Sequence, residues 1–196
     1  MSRTIYLLRH GQTRFNAEQR LQGHCNSDLT ATGLQQAEAM ANTLAELLAT
    51  PQEWALYSSP LGRAQQTAHI VGERLQISSE HIRLDERLME LGLGEWEQQR
   101  APDLQQQYPH ISQQVLSWYL QAPGAERYDK LQTRLSSWLQ DPDLPQQVVV
   151  VAHGLSGAVL RGLYANLDFD AVWQQEIPQN AFFKLSHGQI ARIACE

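Results

Sequence analysis

Short apolar runs alternate along this chain with segments whose apolar residues recur every three or four positions, and that alternation limits the folds open to it. Residues 4–8 and WALYS at 54–58 read as strands, and QVVVVA at 147–152 as a buried one. Between the first two, TGLQQAEAMANTLAELLA at 32–49 places Leu34, Ala37, Ala41, Leu44 and Leu48 at helical spacing. Thr32 with Gln35 suggests a capping box there, Thr30 is a rival cap, and Pro51 is the stop. The segment SSPLGRAQQTAHIVGERL predicts a second helix, with Ser59 as N-cap and Pro60 at its first position. Helices are also expected over 126–140 and 155–166, and AFFKLSHGQIARIA reads as a closing hairpin around His187-Gly188. In the Gln-rich stretch 97–122, Leu104, Tyr108, Ile111, Val115 and Trp118 keep three- and four-residue steps, which predicts helices rather than low complexity. No linker divides the 196 residues. The expected architecture is one domain over 1–196, an α/β three-layer α/β/α sandwich with a mostly parallel central sheet.

In such sheets ligands sit outside the carboxyl ends of the strands, and two of the strands end alike. Residues 6–16 read YLLRHGQTRFN and 147–155 read QVVVVAHGL, each delivering a histidine followed by glycine. Arginine and histidine are costly to bury unpaired and good at holding an anion. If the two strands are neighbours, Arg9, His10 and His153 converge. Arg63 falls in the first turn of the second helix, where free backbone N–H groups and the dipole favour an anion. Two arginines, two histidines and a helix N-terminus describe a phosphate pocket.

The formal net charge of -6 gives no basic footprint for nucleic acid, so this anion site is local. The longest unbroken apolar run is VVVVA, and IYLL at 5–8 lacks an h-region or cleavage site, so neither a membrane span nor a secretion signal is expected. Cys25 and Cys195 are too few for a disulfide framework and lack metal-site spacing, which fits a cytoplasmic location.

Taken in order, several stretches resemble the histidine phosphatase superfamily, also called the phosphoglycerate mutase-like family. LLRHGQTRFN is similar to its Arg-His-Gly motif and LQGHCNSDLTATGLQQA to the loop and helix that follow. SSPLGRAQQTA resembles the segment supplying its second arginine, RLMELGLGEWE the acidic segment, and VVVVAHGLSGAVLRGLY the second histidine turn. Asn26 and Asp28 stand where Asp and Pro are usual, Gln98 where a glycine follows Trp96-Glu97, and PGAER at 123–127 where PGGES is common. These departures bear on substrate preference rather than on the chemistry.

The resemblance implies a phosphoglycerate mutase-like fold with a small helical lid from about 97–125, and in-line attack on phosphorus. Neutral imidazole, with an unperturbed pKa of ~6.5, offers a lone pair that a phosphomonoester does not repel, so His10 is the expected nucleophile. The resemblance further implies a phosphohistidine that water then hydrolyses. Arg9, Arg63 and His153 would neutralise the phosphoryl oxygens. By the same resemblance Asn16 contacts phosphate, Gln22 and Gly23 border it, Gly154 lies in the second histidine turn, and Glu90 protonates the leaving oxygen. Glu86, Glu95 and Glu97 are rival carboxylates. No metal or other cofactor is expected, because arginines supply the positive charge.

His24 and Cys25 read as a polar loop rather than a metal site, and Arg161 as a structural ion pair. His69, His81, His110 and His187 read as surface or packing residues. Helical spacing assigns Trp118 to the core, while Trp96, Tyr108 and Tyr119 are open between lid and core.

The expected partner is a small phosphorylated metabolite: a sugar phosphate, α-ribazole phosphate, phosphoserine or nucleotide, with a phosphoprotein site also open. No nucleic acid or membrane partner is expected, and the oligomeric partner is open. Hydrolysis competes with two alternatives. A phosphoglycerate mutase-type transferase needs further basic residues, yet Arg100 is the only Lys or Arg between Arg87 and Arg127, and 196 residues lack the longer insertions of that branch. A non-catalytic phosphate-binding protein of the same fold would have lost its nucleophile or acid, and His10 and Glu90 are both present.

Overall fold

A computed structural model describes residues 3–111 and 115–195. The chain enters through strand β1 (Thr4–Arg9), makes a single turn α1 (Arg14–Ala17) and runs into helix α2 (Ala31–Leu47). Strand β2 (Ala55–Ser58), helix α3 (Gly62–Leu75) and the two-residue strand β3 (Arg83–Leu84) follow. After helices α4 (Ala101–Gln107) and α5 (Tyr128–Leu139) come strand β4 (Gln147–Ala152), helix α6 (Gly154–Ala165) and helix α7 (Phe169–Trp173). The hairpin β5 (Ala181–Ser186) and β6 (Gln189–Ala194) closes the fold around His187-Gly188.

The six strands form one mixed sheet in the order β3-β2-β4-β1-β5-β6. β3, β2, β4 and β1 are parallel, and β5 and β6 add an antiparallel edge. β4 lies at the centre, which is why its Val148, Val149, Val150 and Val151 are all fully buried. Alternation along the strands feeds two cores. Ile5, Leu7, Val148 and Val150 pack with Leu131, Leu135 and Trp138 of α5 and Val159 of α6, while Tyr6, Leu8, Val149 and Val151 pack with Met40 and Leu44 of α2 and Ala68 and Val71 of α3. Each fully buried Leu or Val contributes roughly 1.5–3 kcal/mol relative to exposure, so both faces hold the sheet ends in place.

Local chemistry moves several boundaries from those the sequence predicts. α2 is capped by Thr30, not Thr32: Thr30 Oγ1 accepts from the Gly33 N–H at 3.1 Å and donates to Gln12 Oε1 at 2.9 Å. The helix starts early because Gly33 is pressed onto the chain leaving β1; a Cβ on Gly33 would lie 2.0 Å from Gln12 O, and one on Gly11 2.2 Å from Gly33 O. The buried stripe therefore runs through Gly33, Ala37, Met40, Ala41 and Leu44, and Leu34 is exposed. α3 begins at Gly62 with Leu61 as its uncapped N-cap, so Ser59 and Pro60 stay outside it. β3 and α7 have no counterpart in the sequence reading: two residues and five are too short to show a period.

The Gln-rich stretch keeps α4 and a 3-10 turn over Leu116–Gln121, with Leu104, Ile111 and Trp118 buried. The predicted helical pattern between them crosses residues 112–114, which lie outside the described residues. Trp96 sits against Trp118 and Tyr108, with ring centroids 5.3 Å and 5.5 Å apart, so Trp96 and Trp118 form core under this segment.

Candidate active site

Register brings the two histidines together. β1 pairs with β4 so that Arg9 faces Ala152, and β2 pairs with β4 so that Ser58 faces Val151. The next residues of the three strands, His10, His153 and Ser59, emerge side by side at the carboxyl edge of the sheet. The His10 and His153 rings meet edge to face with centroids 5.2 Å apart, and each residue is 2% exposed.

The tautomer of His10 follows from its partners. Nδ1 lies 2.7 Å from Gly11 O, which can only accept, so Nδ1 carries the hydrogen. Arg63 Nε–H, which can only donate, points at His10 Nε2 from 3.2 Å, so Nε2 presents a lone pair. Burial, then the Arg63 and Arg9 charges, hold His10 well below the ordinary imidazole pKa, with the Gly11 bond acting weakly against them. The ring is neutral at pH 7.

Arg63 is 1% exposed and spans the site floor, donating also to Cys25 O at 2.7 Å and Gly23 O at 2.8 Å. Burial lowers its pKa to about 10, with Glu90 opposing, which leaves it charged at neutral pH. Arg9 donates through Nη1 to Ile177 O. Among the described residues its Nε and the Nδ1 of His153 are buried without a hydrogen-bond partner. His153 Nε2 pairs with Ser59 Oγ at 2.7 Å, and burial followed by the Arg63 charge also holds this ring well below the usual imidazole range.

Arg9, His10, Asn16, Gln22, Gly23, Arg63, Glu90 and Gly154 line one cleft of about 450 Å³. His153 lies at its back, lining a smaller adjoining cavity with Arg9 and Gly154. Asn16 is the third residue of α1, in a capping box with Thr13. Gln22 accepts from the Thr13 hydroxyl at 3.0 Å. Gly23 has φ +51, and a Cβ there would meet Glu97 Oε1 at 2.1 Å. The rest of the cleft is lined by Arg20, Leu21, Leu93, Tyr119, Leu155 and Ile177.

Of the four acidic candidates only Glu90 reaches the cleft. Its Oε1 accepts from Leu91 N at 2.9 Å and Ser156 N at 2.7 Å, and its Oε2 from Leu155 N at 3.0 Å. It thus caps α6, whose N-cap His153 supplies no side-chain bond. Glu86 and Glu95 are exposed. Glu97 instead ties the 23–25 loop, accepting from His24 N at 2.9 Å and Leu93 N at 3.1 Å through Oε1 and from Cys25 Sγ at 3.1 Å through Oε2.

Other readings resolve more simply. His24 Nε2 bonds Glu90 O at 2.9 Å, and among the described residues no group of three His, Cys, Asp or Glu is placed to hold a metal ion. The ion pair expected of Arg161 is replaced: its guanidinium lies 3.8 Å over Phe183 and donates to the Glu176 carbonyl at 2.6 Å, which serves a buried cation without burying a second charge. Ser59, Ile177 and Gln179 were not predicted as site residues, and Tyr119, open between lid and core in the sequence, lines the cleft. Ser59 carries the signal of a helix cap, and the others reach the site only through tertiary packing. No helix among the described residues is long and apolar enough to cross a membrane.

The chain belongs to the histidine phosphatase superfamily of α/β enzymes, whose sequence profile (branch 1) matches residues 5–190. It is 35% identical over 157 residues to the probable phosphoglycerate mutase GpmB of Escherichia coli, spanning 78% of this chain and 70% of that protein. The structure of mycobacterial glucosyl-3-phosphoglycerate phosphatase complexed with VO3 is similar, with a TM-score of 0.78, 28% identity and 98% of each chain covered. Bacillus stearothermophilus YhfR is similar with a TM-score of 0.75 and 30% identity over 100% of this chain and 96% of that one.

Proposed function

We propose that this enzyme hydrolyses a small phosphomonoester through a phosphohistidine on His10, without a metal. The observation that carries the reading is the neutral His10 ring, whose Nε2 lone pair faces the guanidinium of Arg63 at 3.2 Å. As Nε2 attacks phosphorus in line, the Arg63 N–H passes from the ring to a phosphoryl oxygen, and Arg9, His153 and the Asn16 amide hold the others. The P–O bond to the organic group breaks and its oxygen takes a proton from the Glu90 carboxyl. Water then attacks the phosphohistidine, Glu90 takes back a proton, and phosphate leaves with His10 neutral again.

The mutase alternative has a relative's name behind it, but the cleft argues for hydrolysis. A mutase must hold a second anionic group, and among the described residues the only lining cation besides Arg9 and Arg63 is Arg20, already paired with Glu18 at 2.7 Å. Arg100 instead reaches Glu18 O and Asp103 outside the cleft lining. The similarity to a phosphatase complexed with VO3 supports a pocket for five-coordinate phosphorus.

Rapid quench with labelled substrate should trap an acid-labile, base-stable adduct that His10→Ala does not form. Para-nitrophenyl phosphate should be hydrolysed equally with or without EDTA, and vanadate should inhibit. An adduct persisting in His10→Ala, or activity lost to chelator and restored by Mg²⁺ or Zn²⁺, would overturn the reading. Incubation with 3-phosphoglycerate and its bisphosphate separates hydrolase from mutase.

A further inference from the structure

The segment between α7 and β5 touches the site from behind at several points. Ile177 O takes the Arg9 guanidinium and Glu176 O that of Arg161. Gln179 goes further, because its carboxamide nitrogen donates twice: to His10 O at 3.3 Å and to Asn16 Oδ1 at 3.1 Å. Asn16 Oδ1 accepts a second bond, from the Thr13 N–H at 3.1 Å.

Two backbone groups make these amide orientations unambiguous. The His10 carbonyl can only accept, so Gln179 must turn its NH2 toward it. The Thr13 N–H can only donate, so Asn16 must turn its oxygen toward Thr13 and Gln179. Both lone pairs of Asn16 Oδ1 are then used, which leaves its NH2 as the group Asn16 can offer to the cleft it lines. An amide turned over would aim an oxygen at an anion instead of two hydrogens.

We infer that Gln179 is a positioning residue: by donating at once to His10 O and Asn16 Oδ1 it joins the Thr13 N–H in locking the Asn16 amide with its hydrogens toward the bound phosphoryl group. The inference rests on the cleft being the phosphate site proposed above. Gln179 does not line the cleft and acts only through Asn16 and the His10 backbone.

A double-mutant cycle on equilibrium binding of inorganic phosphate tests this without requiring turnover. Gln179→Met keeps length and neutrality but cannot donate, and it should weaken phosphate binding roughly 10-fold, the low end for a hydrogen bond to a charged group. In an Asn16→Ala background the same change should cost less than about 2-fold, because there is no amide left to orient. Should Gln179→Met fail to give a native circular dichroism spectrum, Gln179→Asn, whose amide is one methylene short of both acceptors, takes its place in the cycle. Equal losses in the two backgrounds, or no phosphate binding by the wild type, would overturn the inference. Hydrolysis of para-nitrophenyl phosphate is scored separately: a coupled cycle in a protein without turnover would overturn the hydrolase reading and leave the positioning role standing.

Discussion

His10 and Glu90 divide the proposed chemistry, and each is held by groups that limit what a substitution can report. Arg63 serves three acceptors with one planar fork, the His10 ring nitrogen and two loop carbonyls, and a lysine ammonium cannot span them. Arg63→Lys should lower kcat/KM for para-nitrophenyl phosphate by roughly 10²- to 10³-fold, the usual loss for one transition-state donor. Glu90→Gln is more revealing. A general acid matters only when the departing oxygen needs its proton; an alkoxide leaves poorly, whereas para-nitrophenolate leaves unaided. Single-turnover phosphorylation of His10 by a sugar or serine phosphate should therefore slow by roughly 10²- to 10⁴-fold, and much less with para-nitrophenyl phosphate. Glu90 also caps α6 through the Leu155 and Ser156 N–H groups and accepts from its neighbour Leu91 N, and a glutamine must set its NH2 against at least one of these three. That structural loss is common to both substrates and costs roughly 1–3 kcal/mol of stability, visible in Tm. Equal slowing on both substrates in the burst would reduce Glu90 to its capping role.

Among the elements, the start of α2 shows how far the sequence could be read. Spacing located the helix, but Thr30 and Thr32 are equally good caps on paper, and only the approach of Gly33 to the chain leaving β1 decides between them. Thr30→Ala should cost roughly 1–2 kcal/mol in urea unfolding, and Thr32→Ala, at an exposed position inside the first turn, a few tenths. The same limit recurs at α3. Ser59 carries a cap signature, yet the register of β2 against β4 sets it beside His153, and its hydroxyl goes to the ring. The convergence of Arg9, His10, Arg63 and His153 was legible because rare residues stand at two strand ends and a helix start, which the strand register sets side by side. Gln179 was not, since one glutamine among many carries no signal until folding sets it against Asn16. Tyr119 enters the cleft from a 3-10 turn too short for a helical period to orient it.

At the scale of the whole molecule, burying two neutral imidazoles ties stability to pH. Both His10 and His153 titrate well below the unfolded value of about 6.5, chiefly because burial penalises the charged ring and Arg63 adds to it. As pH falls through about 6.5 the unfolded chain takes up protons that the folded chain refuses, so the unfolded state gains and stability drops; above that pH the contribution is fully present. The slope is at most about 1.4 kcal/mol per pH unit for each histidine, or roughly 3–6 °C in Tm for a chain of this size. A second loss lies lower. Glu97 is held below the usual carboxylate range by the His24, Cys25 and Leu93 bonds, which outweigh its burial, so its contribution disappears only as pH falls below about 4.3. Thermal melts of the free protein should therefore show Tm declining from pH 6.5 toward 5, well before carboxylates titrate. His10→Asn and His153→Asn should each flatten that upper limb and leave the lower one in place. An upper limb unchanged in the double variant would mean that other groups carry the proton uptake and that the two rings are not kept neutral by the fold.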